Sequence, residues 1–169
     1  MALSEKRQQE IMRLAYEGGE ELTEAIALGE QETERHLQNI HRKIADFLTT
    51  CTSAEELEFF AENWTRDGLE KPIHDLIENP HVDAGTLLRL YWYSDPEYYY
   101  LGHRSASELD NATDRDVFTT LERIERRITR YEYKTACVPF DPTGHVTMSD
   151  RRSEFARPIP EVMYRPITG

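Results

Sequence analysis

From Ser4 to about Leu48 the chain has no proline and is dominated by Glu, Gln, Ala, Leu and Arg, a composition that favours helix over strand. Gly18 and Gly19 interrupt this stretch. The spacing therefore predicts one helix up to about Glu17, with Ile11, Leu14 and Ala15 turned inward, a break, and a longer helix from about Glu20 to Leu48. In the longer helix Leu22, Ile26, Gly29, Thr33, Leu37, Ile40, Ile44 and Phe47 recur at three- and four-residue steps and are expected to face the core.

The helical signals continue. Thr52-Ser53-Ala54-Glu55-Glu56 offers a capping box, followed by Leu57, Phe60, Ala61 and Trp64 at helical spacing and a turn at Thr65-Arg66-Asp67-Gly68. A helix from Leu69 to Glu78, with Pro72 near its start, closes at Asn79-Pro80. Asp83 is placed to cap a helix from Ala84 to Tyr93, whose Leu87, Leu88, Leu90, Tyr91 and Trp92 make it the candidate central, buried helix. Asp95-Pro96-Glu97 reads as a cap with proline at the first helical position. A last helix starts at Thr113 to Asp116 and carries Val117, Leu121, Ile124, Ile128 and Tyr131 on one stripe. Beyond Lys134 the prolines at 139, 142, 158, 160 and 166 predict an extended segment that either wraps the helices through Phe140, Phe155, Met163 and Tyr164 or stays mobile. The expected fold is all-α: one multi-helix domain over 1–134 and an extended, proline-containing C-terminal segment over 135–169.

At 169 residues the chain is long enough to enclose a core without disulfides or a structural metal. Its formal charge of -12 opposes non-specific binding to nucleic acid and to anionic lipid, which carry the same sign. A basic protein surface is the complementary partner. The opening Met-Ala-Leu-Ser-Glu-Lys-Arg lacks the apolar stretch of a secretory signal, and no window approaches the roughly 18 apolar residues of a spanning helix, so a cytoplasmic protein is expected. Cys51 and Cys137, far apart and without metal-type spacing, are expected to be reduced.

Catalytic patterns are missing from the sequence. His36 and His41 are five apart and point to different helix faces, no glycine-rich phosphate loop follows a strand, and Ser105 and Ser107 near His103 are neighbours in sequence only. Adjacent acids such as Glu20-Glu21 point about 100° apart and form no dyad. His74, Glu78, His81 and Asp83 are the one alternative, a small ion- or ligand-binding enzyme site, but they fall short of a convincing ligand set, and no cofactor is expected. The aromatics say more. Tyr91, Trp92, Tyr93, Tyr98, Tyr99 and Tyr100 crowd one region beside Asp95 and Glu97, and rings next to carboxylates suit recognition of Arg or Lys. Asp67, Glu70, Asp95, Glu97, Tyr98, Tyr99 and Tyr100 are accordingly the candidate partner-binding residues.

The order and spacing of Phe59-Phe60-Ala61-Glu62-Asn63-Trp64-Thr65-Arg66-Asp67-Gly68, of Ile77-Glu78-Asn79-Pro80 and of Asp83-Ala84-Gly85-Thr86-Leu87-Leu88-Arg89-Leu90-Tyr91-Trp92 resemble the bacterial domain of unknown function DUF4274, over roughly residues 55–104. Leu87 departs from the usual Ala of that pattern, and Thr65-Arg66 lengthens its first element. The matching residues are turn and close-approach types, with Gly85 allowing another helix to come near, so the resemblance implies a fold and not a reaction. It further implies a place among small acidic proteins that accompany bacterial polymorphic or type VI secretion toxins. The expected role is then an immunity protein that covers a basic surface or active site of its cognate effector. A structural adaptor held in a homo-oligomer by the first helices is the remaining alternative.

Overall fold

The computed structural model describes residues 3–16, 20–64 and 71–169. Within them the chain is all-α, with eight α-helices, short 3-10 turns and no strand beyond an isolated bridge between Phe140 and Ile167. Two compact units divide at His81 and Val82, whereas the sequence changes character at residue 134. The expected break at Gly18 and Gly19 lies outside the described residues, as do the turn at Thr65 to Gly68, Asp67 and Glu70.

The first unit holds α1 (Glu5–Ala15), α2 (Glu20–Leu28), α3 (Glu30–Thr50), α4 (Ala54–Asn63) and α5 (Lys71–Glu78). The single long helix expected from Glu20 to Leu48 is in fact two, because Gly29 takes φ 114°, a left-handed conformation that favours glycine, and reverses the chain between α2 and α3. The predicted stripe therefore fails on α2, where Ala25 is buried and Ile26 is not, and holds on α3 at Ile40 and Ile44, whereas at its end Leu48 is buried and the predicted Phe47 only half-buried. They join Ile11, Leu57, Phe60, Ile73, Leu76 and Ile77 in one apolar core. Half of the capping box forms. The Ser53 hydroxyl accepts from Glu56 N–H at 3.2 Å, but the Glu56 carboxylate turns to the Arg7 guanidinium and receives the Cys51 thiol at 3.5 Å. Arg7 holds Glu56 below the usual carboxylate range, and burial raises the Cys51 thiol.

The second unit is built around α6 (Ala84–Tyr93), with α7 (Pro96–Gly102) and α8 (Ala112–Thr129). α6 is the central helix that its composition predicts: Ala84 to Leu88, Tyr91 and Trp92 are all buried. α8 starts earlier than predicted, capped by Asn111, whose side-chain oxygen accepts Asp114 N–H at 2.7 Å. It also ends before the predicted stripe does, since Tyr131 sits at φ 57° and is exposed. The Tyr131 and Glu132 amides cap α8 by donating to the Ile128 and Arg127 carbonyls at 3.2 and 2.8 Å.

Residues 135–169 pack within this unit. Asp83 is buried and accepts three backbone N–H groups: Gly85 at 2.8 Å, as the predicted cap, and Cys137 and Val138 at 2.8 and 3.1 Å. The Trp92 indole donates to Met163 O at 2.8 Å, and Phe140, Phe155, Ile159 and Met163 are buried. What comes close to Gly85 is thus the extended backbone of Val138 and not another helix. A Cβ at Gly85 would collide with the Val138 carbonyl, which two neighbouring hydrogen bonds to Asp83 hold in place. Gly85→Ala is expected to destabilise the chain by about 3 kcal/mol in urea unfolding, the upper part of the overpacking range, and an unchanged midpoint would refute this close approach.

Candidate protein-binding surface

Of the candidate residues between 95 and 100, the structure leaves three at the surface and takes two inside. Asp95 is exposed and left-handed (φ 52°), a conformation that its short polar side chain tolerates, and it makes no capping hydrogen bond to α7. Pro96 occupies the first turn as predicted. Tyr98, one turn on, is 60 % exposed, and its ring meets that of Tyr99 edge-on at 5.1 Å. Half-buried Tyr99 donates to Asp114 on α8 at 3.3 Å, and burial, reinforced by Asp114, pushes its hydroxyl up to about 12. The result is an exposed ring, Tyr98, beside a half-buried one, Tyr99, that carboxylates approach at the corner where α7 and α8 begin.

Glu97 and Tyr100 are corrections. Glu97 is buried, and its carboxylate accepts the Thr147 amide at 2.9 Å, the Thr147 hydroxyl at 2.6 Å and the Met148 amide at 3.1 Å, so it fastens the C-terminal segment and presents no charge to a partner. Tyr100 is fully buried against Phe118, at 5.0 Å between rings. Consecutive residues on a short helix cannot all face solvent, and the sequence did not reveal which would turn in. It also missed Asp114, whose position at the start of a helix reads as local capping and gives no hint that Tyr99 lies against it.

A second polar group lies inside this unit. Glu125 on α8 is buried, accepts the Tyr91 hydroxyl at 2.7 Å and pairs with Arg157, whose guanidinium lies 5.0 Å from the Tyr100 ring centre. The Tyr100 hydroxyl feels both charges without a hydrogen bond of normal geometry to either. Burial raises Glu125, and Tyr91 and Arg157 partly offset that rise. The cluster ties α6, α8 and the C-terminal segment together.

The alternative set His74, Glu78, His81 and Asp83 loses Asp83, whose two carboxylate oxygens are taken by backbone amides. Among the described residues no group of three or more His, Cys, Asp and Glu side chains is placed to hold a metal ion. The Ser105 hydroxyl pairs with that of Ser107 at 2.8 Å, while a His103 ring nitrogen contacts Tyr99 O at 3.2 Å, so no nucleophile and base meet there. No helix among the described residues is long and apolar enough to cross a membrane.

Residues 52–129 match the model of a family described as a domain of unknown function. Over this stretch the chain is DUF4274-like. The chain matches no curated protein and no solved structure. The match runs further than the motifs that signalled it, from the cap of α4 to the end of α8, and it crosses from one compact unit into the next. Its motif residues are structural. Trp64 stacks on Phe60 at 5.4 Å, and buried Asn79 donates to Leu48 O and Cys51 O at 2.6 and 2.9 Å while accepting His81 N–H at 2.7 Å, closing the C-terminal end of α3.

The Glu125–Arg157 pair gives this chain a signed pH dependence. Because the folded carboxyl lies above its ordinary value, the stability it supports is complete below the ordinary glutamate range and is lost as pH rises through the raised value. Arg157→Met removes the offsetting cation and enlarges that loss. The variant is expected to cost about 3 kcal/mol at neutral pH, with the difference from the parent narrowing as pH falls below the glutamate range. A pH-independent difference in urea midpoints would mean that Arg157 acts by packing alone.

Proposed function

We propose that this chain is a non-catalytic protein-binding module and that it acts as an immunity-type inhibitor, neutralising a cognate bacterial effector by covering a basic surface or active site. The supporting observation is the α7–α8 corner, where the exposed Tyr98 ring meets Tyr99 edge-on, Tyr99 is bonded to Asp114, and Asp95 is exposed just before α7. An aromatic face gives contact area at small entropic cost, and nearby carboxylates favour a Lys or Arg side chain over it. Glu97, Tyr100 and Glu125 are committed to holding the fold, which leaves the corner built from residues that packing does not require.

Charge and ring are expected to act on different rates. Long-range attraction governs encounter, and a buried ring governs residence. With the product of a neighbouring toxin gene as partner, Asp95→Asn, which keeps a side chain tolerant of the left-handed backbone, is expected to slow association several-fold at low salt and little at high salt. Tyr98→Ala is expected to speed dissociation about tenfold, as a hot-spot ring does. Surface plasmon resonance at two salt concentrations, with growth rescue on co-expression, measures both. Unchanged kinetics and protection in the double variant would exclude this corner as the interface.

A further inference from the structure

The corner stands on a helix with little stability of its own. α7 is seven residues long, and Asp95 before it makes no side-chain capping bond. Isolated helices shorter than roughly 12 residues are marginal in water, so α7 depends on what its inner face touches. Glu97 and Tyr100, at i and i+3, make that face, and both are buried.

The polar contacts on the inner face come from the C-terminal segment. Thr147 donates its amide and hydroxyl to the Glu97 carboxylate at 2.9 and 2.6 Å, and the Met148 amide donates to it at 3.1 Å. Further along, the Arg157 amide donates to Tyr100 O at 3.2 Å, and the Arg157 guanidinium stands 5.0 Å from the Tyr100 ring centre. α8 adds the Phe118 ring against Tyr100 and the 3.3 Å bond from Tyr99 to Asp114. Asp95 and Tyr98, also at i and i+3, stay exposed. A helix of two turns cannot shift one face and keep the other, so loss of the bonds to Glu97 and Tyr100 moves the exposed ring as well.

We infer that the segment from Thr147 to Arg157 gates the corner: it opens and closes together with α7, and a partner engages Tyr98 only while the segment is seated. The gate regulates the interface proposed for the corner and rests on that reading. Thr147 is its positioning residue, since its hydroxyl reaches the buried carboxylate from an exposed position. The coupling is reciprocal: a partner that binds only the closed form holds the segment down by the factor with which the seated segment favours the partner.

Native-state hydrogen exchange of the full chain, followed by NMR at several sub-denaturing urea concentrations, reads the shared opening without a partner. The Tyr98 and His103 amides, which donate to Asp95 O and Tyr99 O at 3.2 Å, are expected to exchange with the same urea dependence as the Thr147 and Met148 amides. Both sets exchange faster than the Ile124 amide in α8. Thr147→Val removes the hydroxyl donor, keeps the branched shape and is expected to speed exchange in α7 about tenfold, whereas Thr147→Ser, which keeps the donor, stays within about twofold of the parent. Three results overturn the inference: opening of the segment while α7 stays protected, unchanged α7 exchange in Thr147→Val, or release of all these amides only together with Ile124. Adding the product of a neighbouring toxin gene at about 100 times its Kd is expected to slow both sets about a hundredfold. Slowing of α7 alone overturns the gate. Slowing of neither set by a protein that does bind the chain overturns the corner as the interface, whereas loss of the shared opening leaves that interface standing.

Discussion

Three buried carboxylates carry the organisation of the second unit. Asp83, Glu97 and Glu125 stand on or beside three different helices, and each binds the segment after Lys134: Asp83 accepts from the Cys137 and Val138 amides besides Gly85, Glu97 from Thr147 and Met148, and Glu125 from Arg157 besides Tyr91. Removing a carboxylate from water costs several kcal/mol, and charge-assisted hydrogen bonds of about 1.5–3 kcal/mol each offset that cost only when the donors are in place. An extended, proline-containing segment has little periodic structure of its own to fix its path. The anions supply that path, and the apolar anchors Phe140, Phe155, Ile159 and Met163 make following it favourable.

The same arrangement separates what the sequence reveals from what it conceals. Helices were legible wherever a stripe continued without a conformational exception: α3 below Leu37, α6 throughout, α8 up to Ile128. They were misread at Gly29 and Tyr131, where a single left-handed residue ends a pattern that the side chains would otherwise continue. Periodicity measures which residues would share a face if the helix persisted, and one positive φ changes the answer for every residue beyond it. Carboxylates were misread for a related reason. Asp83 announced itself as a cap, but its further bonds to residues 54 and 55 positions away have no local signature. Glu97 looked like surface charge because glutamate usually is, and only the presence of Thr147 and Met148 makes its burial favourable.

Surface chemistry was legible in kind and not in place. An excess of tyrosine around residue 95 pointed to exposed rings, and Tyr98 and Tyr93 are exposed. Tyr93 nonetheless contacts Phe140 and His145, at 6.3 and 5.0 Å between rings, so exposure alone does not make it available. The total charge said nothing about distribution. The second unit carries 14 acidic and 12 basic residues and is close to neutral, so Asp95 and Asp114 act at short range, while a long-range negative field arises chiefly from residues 1–81.

The DUF4274 match bears on this division of labour. Asn79, Asp83, Gly85 and Trp64 are each explained by a closed helix end, a capped and anchored segment, a close backbone approach or a stacked ring, so the motifs that carry the match describe a scaffold. In the proposed function, partner choice resides in side chains whose identity the scaffold leaves open. Tyr98 and Asp95 meet that condition inside the matched stretch: the helix they begin needs Pro96 and the bonds of Glu97, and it needs neither an exposed ring nor an acid before it.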